Sequence, residues 1–395
     1  MIKATQQQTK IHNRQLVLQN IYDQPQLSRA DLARQTRLTR TTVSDLVGEL
    51  ITEGLVEETG QGPSIGGKPP TMLNVVENSR QIIGLDLASH EFHGAVVNLR
   101  GQVCHHECLP VDNRNGETAL ALVFELIDTL LSHTTTPVLG IGVGSPGLID
   151  PKNGIIRYAV NLDWHELPLA KLIEERYHLP VHVANNSQAA AMAEITFGSN
   201  RYAKNLIVLK VGRGIAAGIV INGQSYFGDG FGAGEIGHLV FKEDGELCRC
   251  GHYGCLETIA SSQAILNRAQ KIIQSNPESI LTKLVGNTEN VSLDTIVRAY
   301  QEGDPEVKLL IDEVTGVLGA AVANLVCSFN INQIVIAGIL TDLGPVLIDS
   351  IKNQITKKAF TLLADQAHVE TSTLGENIVI MGVAALLMQF ELGLS

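Results

Sequence analysis

The sequence lacks the marks of a membrane or secreted protein. No apolar run approaches the roughly 20 residues that a bilayer-spanning helix needs, and residues 1–10 contain no apolar signal-peptide core. We therefore expect a cytoplasmic protein with no membrane partner. In that compartment the six cysteines favour free thiols and metal ligation over disulfides. Cys104 and Cys108 are expected on or beside a strand without chemistry, and Cys327 in the core of a helix.

A positive net charge is also missing. The 395 residues carry −12 at pH 7, which argues against nucleic-acid binding over the whole surface. The charge is uneven, because residues 1–45 hold seven Lys or Arg against three Asp, or +4, and the other 350 residues therefore carry −16. A basic N-terminal segment on an acidic body favours an anionic partner at that end. The length allows two or three domains.

Residues 28–54 have the pattern of a helix-turn-helix. Ser28 and Asp31 form the capping box S-x-x-D and predict the start of a short helix. In the second helix apolar residues recur at i, i+3, i+4, i+7 and i+8, which predicts one buried face. These residues are Val43, Leu46, Val47, Leu50 and Ile51. Gly54 is the expected C-cap of that helix, and residues 13–22 predict a supporting helix before the motif.

The polar start of the second helix and the segment after the motif predict contacts with DNA. Short polar side chains and arginines suit base edges and phosphates. A Gly- and Pro-rich stretch at 60–70, followed by a strand at 71–76, indicates the wing of a winged helix, from which Lys68 could enter a minor groove. The candidate DNA-binding residues are Arg29, Arg37, Thr39, Arg40, Thr41, Thr42, Ser44 and Lys68. The alternative is a small helical module that binds proteins instead of operator DNA.

Four potential metal ligands lie within residues 234–257. They are His238, Cys248, Cys250 and Cys255. Zn²⁺ prefers a tetrahedron of thiolate and imidazole ligands, and four protein ligands are typical of a structural site. The alternative is three reduced, buried cysteines and an unrelated histidine. The density of C-x-C-x₄-C with an upstream histidine favours structural Zn²⁺, which would also hold the flanking carboxylates of Glu235 and Glu257 in place.

The rest of the chain predicts an α/β body. After a plausible hinge at 77–80, three short strands form a predicted meander, and strands then alternate with helices to the end of the sequence. Such alternation indicates α/β layers.

The motif G-E-x-G-H, followed by C-x-C-G-x-x-G-C-x-E, resembles the signature of the ROK family of repressors and sugar kinases. The resemblance extends from about residue 10 to the C-terminus. It implies an α/β two-lobed actin/hexokinase-like (ribonuclease H-like) ATPase fold with an N-terminal winged helix-turn-helix domain. The implied DNA-binding domain is 1–76. The first lobe is 80–187, completed by a C-terminal helix within 379–395, and the second lobe with the zinc site is 188–378.

The resemblance also implies a sugar site in the cleft between the lobes. In the family the histidine and three cysteines hold zinc, while the same histidine and two glutamates contact the sugar, one ring nitrogen serving each role. Carried onto this sequence, the sugar-binding residues are Ser145, Pro146, Gly147, Asn161, Asn185, Asn186, Glu235, His238 and Glu257. Amides, carboxylates and an imidazole suit a polyhydroxylated ligand because together they donate and accept hydrogen bonds. Tyr158 and Trp164 either bracket the sugar ring or belong to the core.

The kinase machinery of the family is degraded in this sequence. The first phosphate loop of ROK kinases is D-x-G-G-T-K, of which residues 86–91 keep only the aspartate, and Glu91 stands at the lysine position. Glycines and lysine there bring backbone N–H groups and charge to a phosphate. The second loop, at 212–218, has lost part of its glycine content. The catalytic aspartate position holds Asn186, and losing a general base costs about 10²–10⁴ in rate. We therefore expect no kinase activity.

These patterns together predict a sugar-responsive transcriptional repressor of carbohydrate-utilisation genes. A homodimer or tetramer would bind a palindromic operator, and a sugar or sugar phosphate would release it. Xylose-type repressors are the most similar in layout, although glucose and N-acetylglucosamine stay open. One alternative is a ROK sugar kinase with an accessory DNA-binding head. Another is a repressor controlled by a protein of a sugar phosphotransferase system.

Overall fold

The computed structural model describes residues 5–63, 69–88 and 90–394. The N-terminal head is the predicted winged helix-turn-helix, and its wing is an antiparallel pair of strands in the sheet order β1-β3-β2. Its elements are α1 (Gln6–Asp23), β1 (Leu27–Ser28), α2 (Arg29–Thr36), α3 (Arg40–Thr52), β2 (Val56–Gln61) and β3 (Thr71–Val75). The Ser28 hydroxyl accepts from the Asp31 N–H at 3.2 Å, which confirms the capping box. Gly54 follows α3 with φ +74°, a conformation that favours glycine. Lys68 lies outside the described residues.

The first α/β lobe is built on a mixed sheet in the order β11-β7-β4-β5-β6. The predicted meander forms its antiparallel half, and the strands around β7 are parallel. The elements of this lobe are β4 (Gln81–Leu87), β5 (Glu91–Asn98), β6 (Val103–Pro110), α4 (Gly116–Ser132), β7 (Val138–Ser145), β8 (Leu148–Asp150), β9 (Ile155–Ala159), β10 (Trp164–Leu167), α5 (Leu169–Tyr177) and β11 (Val181–Asn185).

A second sheet follows in the order β14-β13-β12-β15-β16. Its elements are α6 (Asn186–Thr196), β12 (Leu206–Val211), β13 (Ile215–Ile221), β14 (Gln224–Ser225), α7 (Leu256–Ala260), α8 (Ser262–Ser275), α9 (Ile280–Val285), α10 (Leu293–Gln301), α11 (Pro305–Phe329), β15 (Gln333–Gly338), α12 (Pro345–Lys358), α13 (Thr361–Ala364) and β16 (His368–Thr371). The last helix, α14 (Ile378–Leu392), returns to the first sheet as the family resemblance implies.

Two helices, α6 and α14, pack against each other between the two sheets. Glycines permit this close approach. A Cβ on Gly382 would lie 1.8 Å from the Ala189 carbonyl oxygen, and a Cβ on Gly142 would lie 2.8 Å from that of Val383. Any side chain at either position would therefore push the helices or the sheet apart. The α6–α14 pair therefore connects the two sheets, with α6 against β12 and β13 and α14 against β4 and β7.

The head is packed onto the body, a contact that the predicted hinge at 77–80 does not anticipate. Buried residues of α1, including Leu18 and Tyr22, share one hydrophobic cluster with residues of β4, β5 and α14. The Tyr22 hydroxyl donates to the Leu99 carbonyl at 2.7 Å, and Arg100 donates to the Tyr22 carbonyl at 2.8 Å. Arg80 donates to the Glu53 carbonyl at 2.9 Å. The segment at 77–80 that joins the head to the first lobe is therefore fixed by hydrogen bonds as well as by apolar packing.

Two expectations from the sequence need correction. Cys327 lies on α11, as predicted, but it is exposed rather than in the core, because it falls on the outer face of the helix. Two helical segments, 305–329 and 375–392, are long and apolar enough to cross a membrane by length and composition, although such segments were not expected. They are buried over 67% and 61% of their apolar windows, because both helices form part of the protein core.

Candidate functional site

The four predicted metal ligands converge in the structure. His238 ends a short 3₁₀ turn after β13, and the three cysteines follow on a loop closed by an antiparallel bridge between Val240 and Cys255. One ligand atom from each of the four residues lies within 4.8 Å of all the others. The Cys248 Sγ is 3.6 Å from His238 Nδ1, and the Cys250 and Cys255 sulfurs are 3.6 Å apart.

These separations fit a tetrahedral zinc ion. With Zn–S near 2.3 Å and Zn–N near 2.0–2.1 Å, a tetrahedron has S–S edges of about 3.8 Å and S–N edges of about 3.6 Å. Gly251 and Gly254 adopt φ +92° and +69°, and a Cβ on Gly254 would lie 1.5 Å from the Lys242 carbonyl oxygen. The loop can therefore close around the four ligands only with glycine at that point. The donor set and its spacing suit Zn²⁺.

His238 joins this cluster to a pair of carboxylates. Its Nδ1 faces Cys248, while its Nε2 lies 3.9 Å from Glu235 Oε2. Burial raises the pKa of Glu235, and the nearby Glu257 charge raises it further against the opposing effect of His238. Glu257 Oε2 accepts from the Ile215 N–H at 3.2 Å. The two ring nitrogens thus face opposite ways, one toward the thiols and one toward the carboxylates.

Asn185 and its neighbours form the polar end of β7 and β11. The Asn185 amide donates to the Gly147 carbonyl at 2.8 Å, and its oxygen caps α6 by accepting from the Ser187 N–H at 2.8 Å. Ser145 is fully buried and donates to the Pro146 carbonyl at 3.1 Å. A Cβ on Gly147 would lie 2.1 Å from the Tyr158 carbonyl oxygen. The Asn185 side chain thus joins the segment at Gly147 to the start of α6.

Asn186 lies at the base of the cleft beside Asp86. Its Nδ2 donates to Asp86 Oδ1 at 2.9 Å. Its buried carbonyl oxygen faces Gly144 and has no hydrogen-bond donor within the described part of the chain. Burial raises the pKa of Asp86, against the attraction of Lys210 and His93 and the Asn186 hydrogen bond.

Asn161 and Arg249 connect the two lobes at the mouth of the cleft. Arg249 lies between two of the metal ligands in sequence and donates to Asn161 Oδ1 at 2.6 Å. A polar cavity of about 320 Å³ opens beside this contact. Its lining residues are Asn113, Arg114, Asn115, Asn161, Arg213 and Arg249. Three guanidinium groups and three amides suit a ligand that carries both hydroxyls and negative charge.

Tyr158 and Trp164, which the sequence assigns either to the sugar site or to the core, differ in burial. Trp164 is buried in the first-lobe core, and its Nε1 donates to the Gly116 carbonyl at 2.9 Å. Tyr158 is 42% exposed and its ring lies against His165. Trp164 therefore belongs to the core.

The turn between α2 and α3 and the first turn of α3 carry the unpaired arginines among the described residues of the head. Thr39 caps the helix by accepting from the Thr42 N–H at 3.1 Å. Arg37 and Arg40 are exposed and have no ion-pair partner among the residues that the structure describes, and Thr41 and Ser44 are exposed beside them. Other basic residues of the head are paired with acids, namely Lys10 with Glu49, Arg14 with Glu53, Arg29 with Glu58 and Arg34 with Asp31. Arg29, a predicted DNA contact, is thus tied to the wing at 2.7 Å.

Comparison with known proteins identifies the larger part of the chain. The ROK family pattern matches residues 82–390. The chain belongs to the ROK family. A MarR family pattern matches residues 16–63, which contain the helix-turn-helix.

Individual relatives match the chain over nearly its whole length, including both parts. The chain is 33% identical to a xylose repressor of Caldicellulosiruptor bescii, over 95% of both chains. It is 30% identical to the DNA-binding transcriptional dual regulator NagC of Escherichia coli K12, over 90% of this chain and 87% of NagC. A crystal structure of a ROK family transcriptional regulator, a homologue of the E. coli MLC protein, has a TM-score of 0.84 at 28% identity and covers 98% of each chain.

A ROK enzyme shares the body. A glucokinase from Streptomyces griseus, solved with glucose and AMPPNP, has a TM-score of 0.72 at 27% identity and covers 78% of this chain and 99% of its own. These likenesses confirm the predicted fold, a two-lobed actin/hexokinase-like body with a winged helix-turn-helix head.

Two residues at the site are not singled out by the sequence patterns. Arg249 reaches Asn161 across the lobes, and Lys210 is the main positive charge acting on Asp86. A signal existed for Arg249, because a residue between two ligands of one metal ion has a fixed backbone. None existed for Lys210, whose role depends on how the two sheets face each other.

Proposed function

We propose that this protein is a sugar-responsive, DNA-binding transcriptional repressor of carbohydrate-utilisation genes. The observation that carries the proposal is the union of two features in one chain. Arg37, directly after α2, and Arg40, at the start of α3, are exposed and have no acidic partner in the described chain, and the cleft keeps its carboxylate–imidazole set around His238 while an amide stands at position 186. Relatives of similar length are named as a xylose repressor and as NagC.

The head would read an operator through α3 and the wing. Arg37, Arg40, Thr41 and Ser44 would contact bases or phosphates, a role that their exposure supports, whereas Thr39 and Thr42 form the cap of α3. Arg29 would act with Glu58 to fix the wing, from which Lys68 would extend. In a homodimer two heads would bind half-sites about 34–36 Å apart, or a multiple of that distance.

The cleft would bind the effector. The proposed sugar contacts are Ser145, Pro146, Gly147, Asn161, Asn185, Asn186, Glu235, His238 and Glu257. Within this set, Asn185 would position the turn, because its side chain already serves Gly147 and α6. The three arginines that line the neighbouring cavity favour an effector with an anionic group, such as a sugar phosphate, as the second candidate beside a neutral aldose such as xylose.

Phosphoryl transfer would be absent. Asn186 cannot take up the proton of a sugar hydroxyl at neutral pH, and the loop after β4 offers a glutamate where kinases of the family have lysine. The cleft would therefore report occupancy without turning over its ligand. Zn²⁺ would be structural, held by His238, Cys248, Cys250 and Cys255.

Effector binding would reach the head through shared packing. Cleft closure would move the α6–α14 pair, and α14 lies in the same hydrophobic cluster as α1 of the head. Such coupling between sites is typically about 1–3 kcal/mol. The protein would be cytoplasmic and would have three domains. The DNA-binding head would comprise residues 1–76. The first lobe would comprise residues 80–187 and 379–395, and the second lobe residues 188–378.

Fluorescence anisotropy with DNA from upstream of its own gene tests the proposal. Affinity for that DNA should be in the nanomolar range and fall about 5–150-fold when the correct sugar is added. Free xylose, N-acetylglucosamine and their phosphates form the first panel, and thermal shift ranks them independently. Absence of specific binding with and without every sugar would reject the repressor assignment. Release by a phosphotransferase-system protein alone would reject the small-molecule effector.

A further inference from the structure

A second cluster of metal-binding side chains lies on the β5–β6 hairpin, well separated in sequence from the zinc ligands. Glu91 and His93 are two residues apart on β5 and so face the same side of the sheet. Cys108 on β6 pairs directly with His93 in the antiparallel register, which brings its side chain to that side too. One ligand atom from each of these three residues lies within 4.8 Å of the other two.

The surroundings of the cluster add further donors. His93 Nε2 is 3.5 Å from Glu91 Oε2, and His90 Nε2 is 4.0 Å from the same oxygen. The His106 ring lies next along β6 on the same face, with its centroid 5.7 Å from that of His93. Thiolate, imidazole and carboxylate together are ligands for borderline divalent metals such as Zn²⁺ and Co²⁺ rather than for Mg²⁺ or Ca²⁺.

We propose that Glu91, His93 and Cys108 form a second binding site for a divalent transition metal. Three protein ligands leave one position of a tetrahedron for water or for a fourth side chain such as His106. The site is accessible from solvent, since the Glu91 and His93 side chains are 43% and 32% exposed. An exchangeable ion fits this arrangement better than a permanently buried one.

The cluster lies at the edge of the proposed effector site. Glu91 occupies the place of the lysine in the phosphate loop of ROK kinases, so the change that removes a phosphate-binding cation supplies an oxygen ligand for a metal. The cluster borders the proposed effector site, because His93 pairs directly with Asp86 in the antiparallel register of β4 and β5. A bound cation would therefore fix the β4–β5 turn at the edge of the proposed effector site.

A third group of ligand-type residues carries no such proposal. His105, Glu107 and His133 also come within 4.8 Å, on the opposite face of β6. The two imidazole rings are stacked in parallel with centroids 3.7 Å apart, so their nitrogen lone pairs do not converge on one point. His133 Nδ1 is also taken by the Thr129 carbonyl at 2.9 Å.

Metal counting under reducing conditions tests the second site. Metal is first removed from the full-length protein with a chelator, and the protein is then titrated with Co²⁺. The amount of bound metal and the thiolate-to-cobalt absorption are measured. Variants Cys108→Ser and His93→Ala should each bind one equivalent fewer than the unaltered protein. The matched control is Cys104→Ser, because Cys104 is an exposed cysteine on the same strand that is not part of the cluster.

The decisive quantity is the difference in bound metal between the unaltered protein and each variant. Metal bound at the four-ligand site is common to these proteins and cancels in that difference. Cys250→Ser should lose a different equivalent and leave the one that depends on Cys108. Circular dichroism of the stripped proteins checks that each variant is folded. Equal metal content in the unaltered protein, Cys108→Ser and His93→Ala would overturn the proposal, as would an equal loss in Cys104→Ser.

Discussion

Asn186 donates a hydrogen bond to Asp86 across 2.9 Å at the base of the cleft. This hydrogen bond forms because the Asn186 amide can donate to the Asp86 carboxylate. Asp86 is buried, and burial already raises its pKa because the ionised form is poorly solvated there. A second carboxylate at position 186 would place two acids within hydrogen-bond distance, and both could not be ionised at neutral pH. The amide therefore stabilises the cleft as well as removing the general base.

Asn186→Asp is expected to lower stability without restoring a kinase. A buried carboxyl pair would have a raised pKa, so the folded state would bind more protons than the unfolded state. Its penalty should be small near pH 4, grow as the pH rises above the unfolded pKa of about 3.9, and reach about 3 kcal/mol at neutral pH. Thermal unfolding at about pH 5 and pH 8 measures the effect, and a coupled assay with ATP measures phosphorylation.

The matched control for this variant is Asn161→Asp. It makes the same chemical change in the same cleft, but at an exposed residue beside Arg249, where a carboxylate gains a cationic partner. Its stability should change little with pH relative to the unaltered protein. ATP-dependent sugar phosphorylation by Asn186→Asp would show that the degraded phosphate loops still function.

Arg40→Ala should weaken operator binding more than any loss of a paired cation in the head. Arg40 is exposed on the first turn of α3 and makes no ion pair within the described residues. If it contacts a base edge, its loss should cost about 1–3 kcal/mol and relax specificity at one position. If it contacts a phosphate, the salt dependence of log K should fall by about one unit in slope. Anisotropy titrations at several salt concentrations distinguish the two.

Lys10→Ala provides the comparison. Lys10 is an exposed cation on the supporting helix α1 of the same head, but it pairs with Glu49 of α3 at 2.6 Å. DNA affinity should stay within a factor of about three, since removing an exposed pair costs little. A loss equal to that of Arg40→Ala would indicate that the head binds DNA through general charge rather than through α3.

How far the sequence predicts this molecule depends on whether the signal is local. Ser28 and Asp31, the apolar period of α3 and the dense ligand motif are local patterns, and each element appears where they indicate it. The meander of β4, β5 and β6 follows from its turns for the same reason. The family resemblance supplied the two-lobed arrangement, which no period in the sequence encodes.

The contacts that the sequence does not predict join residues far apart in the chain. The Asn186–Asp86 bond spans 100 positions and the Arg249–Asn161 bond spans 88. The sequence predicts Cys327 in the core of a helix, yet the structure exposes this position on α11. Residues 77–80 have the composition of a hinge, but the head packs on β5 and α14, and this packing fixes the head against the body.

Removal of the proposed Zn²⁺ from the four-ligand site should destabilise the second lobe and abolish the proposed sugar binding. Three thiols and one imidazole without an ion leave the loop at 245–255 without its main cross-link, and His238 loses the partner that aims its other nitrogen at Glu235. A chelator or Cys250→Ser should lower the melting temperature by several degrees and abolish the sugar-induced thermal shift. Cys327→Ser, an exposed cysteine on α11, is the control. Unchanged melting and sugar response after verified metal loss would refute a structural role.

Tyr22→Phe should uncouple the sugar signal from the DNA-binding head. The Tyr22 hydroxyl is buried and donates to the Leu99 carbonyl at 2.7 Å, while the Arg100 guanidinium lies 4.1 Å from the ring centre. Removing the hydroxyl leaves a buried carbonyl unsatisfied, which costs about 1–3 kcal/mol. That is the size of a typical coupling free energy between two sites, so the head would no longer be held firmly enough to follow the body.

The expected phenotype separates coupling from binding. Tyr22→Phe should retain sugar affinity and sugar-free operator affinity within a few fold, because neither the cleft nor α3 is touched. The sugar-induced loss of operator affinity should shrink by at least half on a logarithmic scale. Tyr177→Phe removes the hydroxyl of a half-buried tyrosine, which donates to Asp128 at 2.7 Å in the first lobe, and should leave the response intact. A normal response in Tyr22→Phe would mean that the signal reaches the head by another contact, such as the bond from Arg80 to Glu53.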